Sequence, residues 1–178
     1  MGSALNFTNI SGIAPATTTS RGVAEVATSA EVTTGTDNER IISPDALAGS
    51  NYGKSVVSIL VSDPNGSAIT TGDGKAYWRV PSTINGYDLV DVAAAVTTAS
   101  SSGTPEVQIH NVTKAVDMLS TTLTIDANEL DSKDDSDSLP VINTSNDNVN
   151  TGDQIRIDID TAGTGAKGLI VEMTFQLP

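Results

Sequence analysis

The stretch QIRIDID, Gln154–Asp160, decides the fold class of this chain. Isoleucine occupies every second position, and an arginine and two aspartates stand between and after the isoleucines. A period of two places the isoleucines on one face of a β-strand and the charged residues on the other. The stretch therefore predicts a strand with one face in an apolar core and one face toward solvent.

The same alternation recurs through residues 53–178. Further strands are predicted at 55–62, 75–80 and 87–98, around 107–110 and 122–126, and at 171–177. In the strand at 87–98, the pattern places Val90, Val92, Ala94 and Val96 on one face. Between the strands lie turn signals such as Asp63-Pro64-Asn65-Gly66 and Asn85-Gly86. Seven or eight short strands separated in this way predict an all-β domain, an antiparallel β-sandwich of jelly-roll-like type.

Composition favours the same fold. Aromatic residues make up only 3% of the 178 residues, so a core must be built from valine, isoleucine, leucine and alanine. Serine, threonine, asparagine, aspartate and glycine are abundant and favour turns over helices. The three predicted regions are an extended or flexible N-terminal arm at 1–20, a docking segment at 21–52, and a β-sandwich knob at 53–178.

Local signals in the docking segment predict one or two short helical turns. Thr28 with Glu31 fits a capping box, and Ser43-Pro44-Asp45 reads as the start of a second turn that ends near Gly49. The segment has too few apolar residues to fold alone, so it needs an interface with the main domain or another chain. The arm either stays flexible or orders against a partner.

Charge and cysteine content exclude several function classes. A net charge of −13 with only nine lysines and arginines disfavours nucleic-acid binding, which requires phosphate neutralisation. The absence of cysteine excludes disulfides and thiolate chemistry. The N-terminus lacks the pattern of a secretory signal, and no apolar stretch is long enough for membrane insertion. We therefore expect assembly in a reducing cytosol.

Motifs that could carry chemistry are weak. Gly163, Gly165 and Gly168 spell GxGxxG, but the alternating residues after them predict a strand, so the glycines favour a hairpin connection over dinucleotide binding. His110 is the only histidine and lies on the polar face of a predicted strand, which favours an ordinary surface residue over a catalytic one. We expect no enzyme activity and no catalytic residue.

Two groups of residues remain as candidate sites. Carboxylates at Asp131, Asp134, Asp135 and Asp137 could hold Ca²⁺, although the spacing does not match an EF-hand and favours a solvated acidic loop. Otherwise no cofactor is predicted. Alternation places Tyr77 and Arg79 on one face of a strand, where they could contact a receptor or a subunit, and places Trp78 on the opposite, core-facing side.

The stretch GVAEVATSAEVTTGTDNERIISPDAL, residues 22–47, resembles a short motif of bacteriophage tail-fibre proteins. The matching positions are Gly22, Val23, Glu25, Ala27, Thr28, Glu31, Gly35, Thr36, Asp37, Arg40, Ser43, Pro44 and Leu47. Residues 53–178 resemble more loosely a module of phage structural proteins, through GDGKAYWRVP at 72–81, NGYDLVDVAAAV at 85–96, IHNVTKAVDMLSTTLTID at 109–126 and GLIVEMTF at 168–175.

This resemblance implies a virion component on the particle exterior, often trimeric, with a β-sandwich knob. It implies a short tail or head fibre that docks to other virion proteins through the N-terminal segment and contacts a host surface glycan or protein. Residues expected to dock are Gly22, Val23, Val26, Arg40, Pro44 and Leu47. A capsid decoration or collar protein, or a cellular calcium-dependent carbohydrate-binding module, stays open as an alternative.

Overall fold

The computed structural model describes residues 24–37, 40–134 and 139–178. These residues fall into two compact units, with the boundary between Gly53 and Lys54. The predicted arm at 1–20, and Gly22 and Val23 of the docking segment, lie outside the described residues. No helix in the described part of the chain is long and apolar enough to cross a membrane.

The first unit contains two short helices, and both predicted helical turns are confirmed. Helix α1 runs over Ser29–Thr34 and helix α2 over Pro44–Ala48, followed by one 3-10 turn at Asn51–Gly53. A single parallel bridge between Val26 and Ile41 joins the segments that precede each helix. The buried apolar residues of this unit are Ala27, Val32 and Ala46.

The second unit consists of antiparallel sheets packed together, which confirms the predicted all-β sandwich. Its strands are β1 (Lys54–Leu60), β2 (Gly72–Arg79), β3 (Asp88–Ala95), β4 (Glu106–Asn111), β5 (Val116–Asp117), β6 (Leu119–Thr121), β7 (Leu123–Thr124), β8 (Val141–Ile142), β9 (Gln154–Thr161) and β10 (Ile170–Gln176). One sheet has the order β1-β10-β3 and the other the order β2-β9-β4-β5, with β7 also paired to β4. Strands β6 and β8 form a small separate pair.

The core lies between these sheets and is built almost entirely from aliphatic side chains. The isoleucines of β9 are buried, as their alternation predicts, and they face Val171, Met173 and Phe175 of β10 in the same cluster. Trp78 packs against this core, with its ring centroid 5.5 Å from that of Phe175. Burial of aliphatic area of this kind is the main favourable contribution to folding.

The predicted shared face of β3 is wrong at one position. Val92, Ala94 and Val96 are buried, but Val90 is 42% exposed and Leu89 is buried in its place. The register between β3 and β10 shifts between Thr174 and Phe175, which pair with Asp91 and Leu89 respectively. A bulge adds one residue to a strand, so it reverses the side-chain phase on one side of it.

The glycine-rich loop also differs from its prediction. Gly163, Gly165 and Gly168 all have positive φ, as a turn requires, and strand β10 follows them instead of a helix. However, β9 and β10 belong to different sheets, so the loop crosses the sandwich and is not a hairpin. Gly168 allows the closest approach in this loop, because a Cβ there would lie 2.1 Å from Thr97 Oγ1.

Candidate functional site: the N-terminal docking module

The unit formed by residues 24–37 and 40–53, hereafter the docking module, is held together mainly by its polar residues. Thr28 caps α1: its Oγ1 accepts from the Glu31 backbone N–H at 3.3 Å, while the Glu31 carboxylate accepts from the Thr28 N–H at 2.9 Å. Gly35 ends the helix in the left-handed conformation, at φ +66°. The capping box therefore fixes both the start and the direction of α1.

Arg40 connects three carboxylates from different parts of the docking module. Its guanidinium lies 3.3 Å from Glu25 and 3.4 Å from Glu31, and it also forms an ion pair with Asp37. The hydrogen bond that Arg40 donates to the Asp37 carboxylate raises the pKa of Arg40. The backbone hydrogen bond from Thr28 lowers the pKa of Glu31 most. The hydrogen bond from the Thr28 side chain and the charge of Arg40 lower it further. A planar guanidinium suits such a junction, because its several N–H groups point in fixed directions.

The second helix is positioned by equally local chemistry. Ser43 Oγ accepts from the Ala46 N–H at 3.1 Å, and Pro44 is the first helical residue. The backbone of Ala27 donates to Ile41 at 2.8 Å and that of Ile41 donates to Glu25 at 2.9 Å. The two helices are thus joined through the short bridge at Val26 and Ile41 and through the Arg40 ion pairs.

The docking module leaves most of its large apolar side chains in solvent. Exposed fractions are 53% for Val26, 55% for Ile41, 58% for Ile42, 44% for Leu47 and 68% for Tyr52. A groove of about 410 Å³ opens on its surface. Its apolar lining is Ala27, Val32, Ile42, Leu47 and Tyr52, and its polar lining includes Glu31, Asp37 and Arg40.

The predicted docking residues therefore divide by role. Val26 and Leu47 present apolar surface, and Leu47 lines the groove. Arg40 is engaged in ion pairs within the module, and Pro44 starts α2. Sequence reasoning did not place Ile42 among the docking residues. The signal was present, because a segment that cannot build its own core must leave some of its large apolar residues exposed.

The calcium candidates take an ordinary structural role where they are described. Asp131 Oδ1 accepts from the Lys133 N–H at 2.9 Å, and the Asp134 N–H donates to the Asp131 carbonyl at 3.4 Å, so the segment forms a turn. Asp135 and Asp137 lie outside the described residues. Within the described ranges, no group of three or more histidine, aspartate or glutamate side chains could hold a metal ion.

Tyr77 and Arg79 are both exposed on β2, and Trp78 turns to the core, as alternation predicts. Their outward face continues onto β9, where Arg156 lies opposite Tyr77. Arg156 contacts Asp158 at 2.8 Å and Asp73 at 3.0 Å, and the Gly74 N–H donates to Asp158 Oδ1 at 2.7 Å. These contacts explain why Asp158 is buried even though it belongs to the polar side of its strand.

His110 also lies on this outward face. Its Nδ1 is 2.7 Å from Asp117 Oδ1 across the β4–β5 pair. Neither residue lines the groove of the docking module.

Comparison with models of known protein families, with curated proteins and with solved structures finds no match.

Proposed function

We propose that this chain is a structural protein of a bacteriophage virion, a short tail or head fibre that docks to the particle through the docking module and displays the β-sandwich as a knob. The observation that carries the proposal is the coincidence between the fibre-type motif and the residues that build the docking module. Thr28 and Glu31 form its capping box, Arg40 joins its segments, and Ser43 caps α2. The motif thus specifies a small folded unit, whose apolar surface is what docks.

The energetics of the docking module support a role that requires a partner. Among its described residues, the buried cluster consists of two alanines and one valine, while five other apolar side chains remain exposed. A cluster of three small side chains buries little apolar surface, and that surface is the main source of stability for a small unit. Burial of the groove residues against another virion protein would supply that missing apolar contact.

The role we propose is non-catalytic. The only histidine is paired with Asp117 on an outward sheet face, and the charged residues around Arg156 are engaged with one another. Exposed Tyr77 and Arg79 form the part of the knob that we assign to contact with a host surface glycan or protein. Aromatic and arginine side chains are enriched at recognition surfaces because both combine apolar area with directional hydrogen bonding.

We further propose that the protein is a homotrimer on the exterior of the particle. Symmetric association increases the apolar area buried per copy, which suits a chain with so few aromatic residues.

The proposal is tested by attachment to particles that lack the protein. Purified particles are mixed with labelled wild-type protein, with Ile42→Ser/Leu47→Ser, or with the matched control Val112→Ser/Val141→Ser, whose substitutions lie on exposed valines of the sandwich. Loss of two central apolar contacts is expected to weaken attachment about 100-fold, while the control attaches like the wild type.

The outcomes separate the competing assignments. Attachment of the wild type at the tail or at a unique head position supports a fibre, and uniform attachment over the shell indicates a decoration protein. Equal attachment of the groove variant and the control would refute docking through the module. Absence of the chain from purified particles would refute the virion assignment itself.

A further inference from the structure

Among the residues that the structure describes, strand β1 differs from the other sheet edges of the sandwich in having no covering segment, no register shift and no short length. An edge strand exposes a row of unpaired backbone N–H and C=O groups, and proteins usually protect such rows with charges, bulges, short length or a covering segment. The described residues allow each edge to be compared on these terms.

The opposite edge of the same sheet is covered. The segment Leu130–Ser132 runs along β3: the Val96 N–H donates to the Leu130 carbonyl at 2.8 Å, and the Ser132 N–H donates to the Ala94 carbonyl at 2.9 Å. Ser132 Oγ also accepts from the Ala94 N–H at 2.9 Å. Asp131, one of the calcium candidates, therefore lies in the segment that closes this edge.

The edges of the second sheet are protected in other ways. Strand β2 carries Asp73, Lys75 and Arg79, and its register with β9 is interrupted between Gly72 and Ala76. Strand β5, at the other edge, is only two residues long. Charge, a register shift and short length are each unfavourable for regular pairing with a further strand.

Strand β1 has neither a register shift nor a short length, and its only charged residue is Lys54 at its first position. It pairs with β10 in an uninterrupted register over seven residues, from Lys54 opposite Gln176 to Leu60 opposite Ile170. Its exposed row consists of Lys54, Val56, Ser58 and Leu60. Val56 and Leu60 are 58% and 59% exposed, which is more than any other large apolar residue of the sandwich.

The distribution of charge on the chain indicates that the partner of β1 is a second copy of the same chain. The chain carries a net charge of −13, so contact between two copies is opposed by repulsion over most of the surface. Each of the other strands with six or more residues contains at least one aspartate or glutamate, whereas β1 contains none and begins with a lysine. This apolar, carboxylate-free strand is the place where an acidic chain can approach its own copies at the smallest electrostatic cost.

We propose that β1 is the surface through which copies of this chain associate, with the exposed side chains of Val56 and Leu60 from every copy meeting around the symmetry axis. The inference rests on the trimer proposed above only for the number of copies. It does not depend on the particle or on the docking module, because neither is needed for the contact.

The test uses the recombinant full-length chain. Size-exclusion chromatography with light scattering is carried out over a range of micromolar concentrations for the wild type, for Val56→Asp/Leu60→Asp, and for the control Val112→Asp/Val141→Asp, which adds the same charge elsewhere on the sandwich. Fluorescence of Trp78, which packs on Phe175 in the core, reports whether each variant is folded.

We expect a mass near three times 18.3 kDa for the wild type and the control, and 18.3 kDa for the folded β1 variant. A dimer that dissociates in the β1 variant would support the β1 contact and overturn the trimer. A monomeric wild type, or a folded β1 variant with the wild-type mass, would overturn the inference. Should the β1 variant fail to fold, amide hydrogen exchange on the wild type decides: protection of β1 must increase with protein concentration, and protection independent of concentration would mean that the edge is closed within one chain.

Discussion

Substitution of Gly168 by alanine tests whether close packing at the crossing between the two sheets holds the sandwich together. Gly168 has φ +64°, and an alanine Cβ there would lie 2.1 Å from Thr97 Oγ1 and 2.9 Å from the Pro64 Cα. The left-handed conformation costs a non-glycine residue about 1–2 kcal/mol. Forcing an extra methyl group into packed surroundings costs about 1–3 kcal/mol more. We therefore expect Gly168→Ala to lower the free energy of unfolding by about 2–5 kcal/mol.

The same loop supplies the matched control. Gly165 has φ +80°, but no atom lies within 4 Å of the position of its Cβ. Gly165→Ala should therefore cost only the conformational part, about 1–2 kcal/mol. Both variants are unfolded in urea and followed by the fluorescence of Trp78, the only tryptophan, which packs against the sandwich core. The difference between the two variants isolates the steric contribution.

A double-mutant cycle identifies the clashing group. Thr97→Ala removes both side-chain atoms that approach Gly168, at the expense of the hydrogen bond from Thr97 Oγ1 to the Lys167 carbonyl. In this background Gly168→Ala should cost less than in the wild type, and the contact with the Pro64 backbone should prevent full recovery. Equal costs for Gly168→Ala and Gly165→Ala, with no coupling to Thr97, would refute the reasoning.

Three further predictions concern the docking module and the acidic face of the sandwich. Thr28→Ala removes the helix cap and should destabilise α1 by about 1 kcal/mol. The loss is measured as faster hydrogen exchange of the Val32 N–H, and Thr28→Ser should preserve most of the protection. Because the folded-state pKa of Glu31 lies below its ordinary value of 4.5, its contribution to stability is complete above that value and is lost as the pH falls through the lowered pKa. The protection of the same N–H, measured relative to the slower intrinsic exchange in acid, should accordingly fall on acidification below pH 4.5 in the wild type and change less in Glu31→Gln. Burial, followed by the negative charges of Asp158, Glu106 and other carboxylates, raises the pKa of Asp160. Asp160→Asn should therefore stabilise the sandwich at pH 7 by less than about 1 kcal/mol. This gain should shrink as the pH falls through the raised pKa of Asp160. A destabilised Asp160→Asn variant at pH 7 would contradict this sign.

The local features of the chain could be predicted because they depend on neighbours in sequence. The capping box of Thr28 and Glu31 and the serine–proline start of α2 require residues only three or four positions apart, and both are present in the structure. The alternation in β9 likewise predicts its buried isoleucines, since a strand has a fixed period of two. The exclusion of cysteine chemistry follows from composition alone.

The features that the sequence did not predict depend on residues that are distant along the chain. The bulge that exposes Val90 arises from pairing with β10, some eighty residues later, and no local pattern in β3 marks it. The burial of Asp158 requires Arg156 beside it and the Gly74 N–H from β2. Likewise the groove of the docking module brings Val32, Ile42 and Tyr52 together from three separate positions, which periodicity cannot anticipate.

The sequence by itself therefore determined the class of the protein: an acidic, cysteine-free, all-β chain with two capped helical turns ahead of it. Those properties follow from composition and from interactions within a few residues. Only the tertiary structure decided that the loop with Gly163, Gly165 and Gly168 crosses between the sheets and that the segment Leu130–Ser132 closes one sheet edge. It also decided that β1 is an edge strand with exposed apolar side chains. Sheet order and edge exposure depend on pairing between strands that are far apart along the chain. Side-chain periodicity shows which face of a strand is apolar, but it does not indicate which strands pair.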